Sequence, residues 1–234
     1  MSLIGMKLQR FFVNEQLKKN SEVSVFDKEL SEQIRRVFRM RKGDTVGLLD
    51  NSGGGLEAEI LDFGKDTVDF KVSEKEIEVH NSERDVWLYV SIPKKDKFEL
   101  VVQKATELGV SHIVPVLSER TEKQNIKWDR VEKIAKEASE QSERGSLPVI
   151  HETCDLENVL ENAQNLHVLN MNAEKGVQDL SGEKISVLVG PEGGWGERDL
   201  KLFEENNTSI VSLGKQVLRA ETASIAVASL LLLK

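Results

Sequence analysis

The residues best suited to chemistry lie in two glycine-bearing segments near the carboxyl end. The first, Val187-Leu188-Val189-Gly190-Pro191-Glu192-Gly193-Gly194-Trp195-Gly196-Glu197, reads as a buried strand running into a glycine-rich loop and then a helix. Ligands of open α/β sheets sit at such carboxyl ends. A phosphate is disfavoured here: the P-loop lysine and Ser/Thr are missing, the dinucleotide glycine spacing is unmatched, and Glu192 would set a negative charge against it. Gly190, Gly193 and Gly194 lack a Cβ and let a flat ring approach the main chain closely, which suits a cationic or zwitterionic nucleoside. Taken alone, the loop reads equally well as a tight turn. The second segment is Ile210-Val211-Ser212-Leu213-Gly214 followed by Lys215-Gln216-Val217-Leu218-Arg219-Ala220-Glu221-Thr222-Ala223. Glu221 or Thr222 can stabilise the start of the apolar helix behind it. Arg219 and Glu221 beside a buried helix are costly unless paired or used, so a capping ion pair and a catalytic pair both fit.

A third feature is charge. The chain of 234 residues carries a formal charge of -8, which opposes any coating of nucleic acid through bulk positive charge. Residues 1–78 hold 13 Lys+Arg against 15 Asp+Glu, so neither half is basic. Yet Ile34 to Lys42 places Arg35, Arg36, Arg39, Arg41 and Lys42 together with no acid among them. That run is either a local anion-binding patch or a solvated helix face. The single cysteine, Cys154, excludes an intrachain disulfide framework and a Cys-rich zinc site, and suits a reducing cytosol. His80, His112, His151 and His167 lack the spacing that sets two imidazoles on one helical face, so no metal is expected. The longest apolar run, Ala223 to Leu233, falls well short of the roughly 20 residues that cross a bilayer. No signal peptide is expected, and Met1 to Gly5, ahead of a second methionine at Met6, are set aside as a leader.

The elements that must position these residues divide near residue 78. Between Thr45 and Val72, short runs punctuated by turn residues predict a β-meander: Leu56, Ala58 and Ile60 alternate with Glu57 and Glu59, and Val68, Phe70 and Val72 with Asp69 and Lys71. One helix over Ser31 to Met40 is expected to interrupt this small barrel or sandwich, with Leu30, Ile34, Val37 and Phe38 on its buried face. After about residue 80 the rhythm becomes strand, helix, strand, helix, the pattern of a mainly parallel α/β sheet. Strands are expected at 86–92, 111–117, 166–170 and 185–190. Helices are expected around Phe98 to Leu108, ended by Gly109, around Val131 to Ala138, and from Asp155 to Ala163 capped by Asp155. The last helix, Ala223 to Leu233, should be buried or packed on another subunit.

Taken together, Gly190-Pro191-Glu192-Gly193-Gly194, then Leu213-Gly214 and Val217-Leu218-Arg219-Ala220-Glu221-Thr222-Ala223, closely resemble the RsmE family, bacterial methyltransferases acting on N3 of a uridine in small-subunit ribosomal RNA. The likeness extends over nearly the whole chain through Arg10-Phe11-Phe12, the Arg39-Met40-Arg41-Lys42-Gly43-Asp44 core, Gln103-Lys104-Ala105-Thr106-Glu107-Leu108-Gly109-Val110, Ser118-Glu119-Arg120, and Glu140-Gln141-Ser142 with Arg144. One departure is Gly214-Lys215-Gln216 where many relatives have Gly-Pro-Arg.

The resemblance implies an α/β fold class: a SPOUT-type domain with a deep trefoil knot at 79–234, behind a PUA-like RNA-binding β-barrel at 1–78. Chain patterning alone would have led to an unknotted doubly wound sheet. It also implies S-adenosyl-L-methionine as cofactor, held by Leu169, Asn170, Val189, Gly190, Pro191, Glu192, Gly193, Gly194, Leu213, Gly214, Val217, Leu218 and Thr222. The expected partners are ribosomal RNA or an assembled small subunit and a second copy of the chain, with neither membrane nor metal, in the cytoplasm. Uracil N3 carries a proton, so a site must supply a base or stabilise the anion. Arg219 is expected to stabilise charge on the uracil oxygens, and Glu221 to orient Arg219 or take the proton. Arg10, Arg35, Arg36, Arg39, Arg41, Lys104 and Arg120 are the expected RNA contacts. Two rivals stand beside this reading: a nucleotide-binding oxidoreductase or hydrolase using the Gly190 loop, and a non-enzymatic RNA-binding module whose α/β half only dimerises.

Overall fold

A computed structural model describes residues 8–121 and 125–233; the expected leader at Met1 to Gly5 lies outside them. Met1–Asn81 with Ser139–Ser146 form one compact unit, and Ser82–Ala138 with Leu147–Lys234 the other. The sequence reading made a single cut at 78/79, whereas the structure adds Ser139–Ser146 to the first unit.

In the first unit β1 (Arg10–Phe12), β2 (Ser21–Val25), β3 (Thr45–Leu49), β4 (Gly55–Phe63) and β5 (Val68–Glu76) form a mixed sheet in the order β1-β3-β4-β5-β2, with β1 parallel to β3 and the other pairs antiparallel. The alternation in β4 and β5 does what the period of two requires: Leu56, Ala58, Ile60, Val68, Phe70 and Val72 are buried, and they meet Phe11, Val46, Leu48, Leu30 and Ile34 in one core. The added segment supplies bonds to this sheet's surroundings. Glu140 Oε1 accepts the Phe12 N–H at 2.9 Å, the Glu143 carbonyl accepts the His80 N–H at 2.8 Å, and the Gly145 carbonyl accepts the Gly53 N–H at 3.2 Å.

The expected helix over 31–40 is corrected. Asp27 caps a short α1 (Lys28–Glu32), its carboxylate accepting the Leu30 N–H at 3.0 Å, and the chain then widens into a π-helical turn at Gln33–Val37. The Phe38 N–H reaches back five residues to the Gln33 carbonyl. The wider turn breaks the 3.6-residue register, so Leu30 and Ile34 stay buried while Val37 is 70% exposed and Phe38 packs edge-on against Phe11.

The second unit is built on β6 (Asp85–Ser91), α2 (Lys95–Leu108), β7 (His112–Leu117), α3 (Trp128–Gln141, whose last residues join the first unit), β8 (Val149–Ile150), β9 (Cys154–Asp155), α4 (Leu156–Asn162), β10 (Leu166–Leu169), β11 (Lys184–Val189), α5 (Glu197–Glu205), β12 (Ser209–Val211) and α6 (Ala220–Leu232). Its strands run parallel in the order β12-β10-β11-β6-β7-β8, with β9 also on β7. A parallel sheet covered on both faces needs continuous apolar strands, and Val86, Leu88, Val90, Ile185, Val187 and Leu188 are fully buried. One face packs against α2, α3 and α6; the other meets Leu156, Val159 and Phe203 of α4 and α5. The last helix begins three residues earlier than expected, and it is buried on one side only. Val227, Ala228 and Leu231 lie in the core, while Leu230 and Leu233 are exposed. No described helix is long and apolar enough to cross a membrane.

Candidate active site

Strands β12, β10 and β11 are neighbours and run the same way, so their carboxyl ends open on one edge of the sheet. The loops that follow them converge on a cavity of about 490 Å³, to which α6 adds Ala220 and Ala223. Leu169, Asn170, Val189, Gly190, Pro191, Glu192, Gly193, Gly194, Leu213, Gly214, Val217 and Leu218 all line it. These predicted residues, distant in sequence, come together because the strand order places β10 between the other two.

Trp195 locks two of the loops together. Its indole N–H donates to the Leu169 carbonyl at 2.9 Å, and its ring packs edge-on against Phe203. A Cβ at Gly190 would stand 2.9 Å from the indole Cε2, so only glycine lets the tryptophan lie there. Gly194 holds φ at +70°, a left-handed conformation that side chains disfavour. From outside the cavity, the Asp199 carboxylate accepts N–H groups of Gly196 and Glu119, each at 3.1 Å, and Glu119 Oε2 accepts the Arg198 N–H at 2.8 Å. This reciprocal arrangement clamps the start of α5, and Arg120 adds a bond from its guanidinium to the Gly193 carbonyl at 2.8 Å. The Ser118-Glu119-Arg120 block thus acts on the glycine loop, where the exposed Arg120, an expected RNA contact, bonds the main chain through one guanidinium nitrogen.

Glu192 is the sole charged residue among the described lining residues. A pocket of bare backbone, apolar side chains, the amides of Asn170, Asn172 and Gln216 and one carboxylate favours positive charge over polyphosphate.

The predicted catalytic pair is split. Arg219 is exposed and stands at the N-cap of α6 without a side-chain capping bond, between the lining residues Leu218 and Ala220. Glu221 is 5% exposed and turned to α2, where Lys97 Nζ lies 3.2 Å from its Oε1. Residues two apart at a helix start do not face each other, which is why the glutamate meets Lys97 and not Arg219. Thr222 is exposed on the same turn and lies outside the cavity wall, against its predicted role. Sequence reasoning missed as site residues Met171, Asn172, Trp195, Leu200, Gln216, Ala220 and Ala223, which also line the cavity. Trp195, Gln216, Ala220 and Ala223 lie within the two quoted segments and Met171 and Asn172 directly after Asn170, whereas Leu200, on α5, carried no signal.

In the first unit Arg35, Arg39, Arg41 and Lys42 border a second concavity of about 410 Å³ with Met40 and Phe63. The Arg35 guanidinium sits 5.4 Å from the Phe63 ring centroid. Arg36 points elsewhere, toward Glu32 at 3.9 Å. Arg10 stands apart from this group: its side chain is 10% exposed and pairs with Glu143 at 3.1 Å, which makes it a structural cation. Lys104 lies on α2 and pairs with Glu107 at 2.8 Å.

The histidines are less scattered than their spacing implied. His112 Nδ1 and His151 Nε2 are 2.9 Å apart beside Trp87, on which the His112 ring stacks at 3.8 Å. Burial lowers both, and for His112 the nearby Asp85 opposes that shift while His151 and Lys184 add to it. Burial also lowers His167, with Lys175 adding to it. No group of three or more potential metal ligands occurs among the described residues.

Residues 80–232, which hold this sheet and cavity, match the family described as an RNA methyltransferase domain. The Ribosomal RNA small subunit methyltransferase E of Rickettsia conorii is 31% identical, over 94% of this chain and 93% of that one, and its Bacillus subtilis counterpart is 28% identical over 93% of each. Among solved structures, a Ribosomal RNA small subunit methyltransferase E from Neisseria gonorrhoeae bound to S-adenosyl methionine superimposes with a TM-score of 0.87, at 28% identity and 95% coverage of each chain. The chain belongs to the Ribosomal RNA small subunit methyltransferase E, or RsmE, family.

Proposed function

We propose that the protein transfers a methyl group from S-adenosyl-L-methionine to N3 of a specific uridine in bacterial small-subunit ribosomal RNA, in the cytoplasm. The observation that carries this reading is the cavity: main chain from three adjacent parallel strand ends, a tryptophan locked beside a glycine, and a lone carboxylate for charge. A flat base can lie against the bare backbone at Gly190 to Gly194, and Glu192 favours the positive charges of the cofactor. The cofactor supplies an activated methyl carbon on a sulfonium.

The remaining work is positioning, since displacement at that carbon demands alignment of nucleophile, carbon and leaving sulfur. Arg219 stabilises negative charge on the uracil oxygens as the N3 proton passes to bulk water; the N3–carbon bond then forms as the carbon–sulfur bond breaks, and the sulfur leaves as a neutral thioether. Glu221, buried against Lys97, acts on the turn that presents Arg219 and not as the proton acceptor. A uridine within folded RNA must be exposed or extruded to reach the cavity. Arg35, Arg39, Arg41 and Lys42 bind the surrounding phosphates, with Phe63 and Met40 offering apolar surface to an unstacked base.

The architecture we assign is a PUA-like barrel for the first unit and a SPOUT domain with a deep trefoil knot for the second. Support for the knot comes from the chain just after β12. The Ser212 N–H donates to the Lys175 carbonyl at 2.8 Å and the Ser212 carbonyl accepts the Val177 N–H at 3.1 Å, so the β10–β11 connection lies along this stretch before the chain reaches α6. That helix then packs on α2, β6 and β11. The homodimer we assign uses the uncovered side of α6, with Leu230 and Leu233 at its surface.

The test is calorimetric titration with S-adenosyl-L-methionine, followed by incubation of undermethylated small subunits or naked ribosomal RNA with labelled cofactor and mapping of the modified base. Micromolar-range binding and label on uracil N3 are expected. Selective binding of ATP or a nicotinamide nucleotide would replace the reading with an oxidoreductase or hydrolase, and RNA binding without cofactor binding would leave an RNA-binding module.

A further inference from the structure

We infer that Lys97 is a positioning residue for the transfer reaction, acting through Glu221 on the turn that carries Arg219; this rests on the function proposed above. From Gly214 to Arg219 the chain is exposed. It is tied at its start by the Ser212 hydroxyl, which bonds both the N–H and the carbonyl of Gly214 at 3.0 Å. Its other end is held by the first turn of α6, and there the buried groups are Ala220 and Glu221.

Ala220 lines the cavity, so any rotation of that turn moves both the cavity wall and the residue before it, Arg219. Glu221 decides where the turn sits. Its side chain is 7% exposed, Lys97 Nζ lies 3.2 Å from Oε1, and Oε2 has no hydrogen-bond partner among the described residues. A buried carboxylate with a single charge partner depends on it: without the ammonium, the group must take up a proton or leave its site. Lys97 lies in the first turn of α2, whose Phe98, Val101 and Val102 are fixed in the sheet's core. The ion pair therefore ties an exposed turn to a helix anchored in the core of the unit. Lys97 is not among the residues that line the cavity, so its effect on the reaction passes through Glu221.

The test compares Lys97→Met, Lys97→Arg and the double variant Lys97→Met/Glu221→Leu. Lys97→Met is expected to lower kcat by about 10- to 100-fold while the Kd for S-adenosyl-L-methionine changes by less than about threefold, since a small misplacement of a reacting group costs that much. Lys97→Arg should restore kcat to within about threefold of wild type, because it keeps the charge. The double variant removes both charges and should regain the melting temperature without regaining kcat. A double variant that recovers kcat along with its melting temperature would reduce the pair to a stabilising contact and overturn the inference. Hydrogen exchange provides a second reading: residues 213–222 should exchange faster in Lys97→Met, and unchanged exchange there also overturns it. If the wild type transfers no methyl group to RNA, the proposed function fails, whereas the exchange experiment still decides whether Lys97 holds the turn.

Discussion

The cavity of the second unit and the basic concavity of the first have similar volumes, about 490 and 410 Å³, yet they are built by opposite means. The cavity is made by topology. Parallel strands set three loops side by side, and the glycines among them leave main chain open to a ligand, held by Trp195, Asp199 and Arg120. The concavity is made by side chains. Four cations crowd the end of a π-helical turn, over a core that needs none of them. A site for one small molecule can thus be precise with few charged groups, whereas a surface for a polyanion tolerates loose placement but requires charge.

The sharpest way to separate the two is Arg219→Ala. It should depress turnover by about 10²- to 10³-fold, the cost of losing one preorganised charge stabiliser, while binding of cofactor and RNA stays within about twofold in titrations. Next comes Gly190→Val, which forces a side chain against the Trp195 indole. Overpacking of about 1–3 kcal/mol predicts a roughly 5- to 150-fold loss of cofactor affinity by calorimetry, with RNA affinity unchanged. The converse variant, Arg39→Ala with Arg41→Ala, should leave cofactor affinity alone and weaken RNA binding. In a salt titration the slope should flatten by about 1.4 for the two lost contacts to single-stranded phosphate; a wild-type slope would return this turn to a merely solvated surface.

The smallest expected effect is on stability and falls on the second unit, which holds His112, His151 and His167, all lowered by burial. Because the folded values lie below the unfolded one, the unfolded chain binds more protons in that interval. The stabilisation is thus complete above about pH 6.5 and is lost as pH falls through the folded values. Trp87, Trp128 and Trp195 all belong to this unit. Their fluorescence should report a lower melting temperature at about pH 5 than at about pH 7.5, and His112→Gln should flatten that dependence.

Much of this contrast was legible in the sequence. The first glycine loop follows β11, whose Val187, Leu188 and Val189 are apolar in succession, and β4 and β5 alternate cleanly, so apolar runs, periodicity and turn residues found them. The basic run was equally visible, although the π-helical turn that splays Val37 away from Leu30 and Ile34 leaves no periodic mark. Strands of two or three residues, such as β1, β8 and β12, are too short to show a period at all. Pairings between distant segments were out of reach: Glu221 with Lys97, His112 with His151, and Arg10 with Glu143 are consequences of packing. Arg10 shows the cost of reading charge alone, since a cation near the chain start looks the same whether it faces solvent or sits buried beside a carboxylate.

The octapeptide Ser139–Ser146, which supplies bonds to Phe12, Gly53 and His80, has a consequence for biosynthesis. The ribosome completes all five strands of the first sheet some sixty residues before it adds Glu140. Until then the Phe12 N–H has only water to bond, and the first unit lacks its last segment. Its completion is timed by translation of the other half, so a gene fragment ending near codon 81 would encode a sheet without its closing piece.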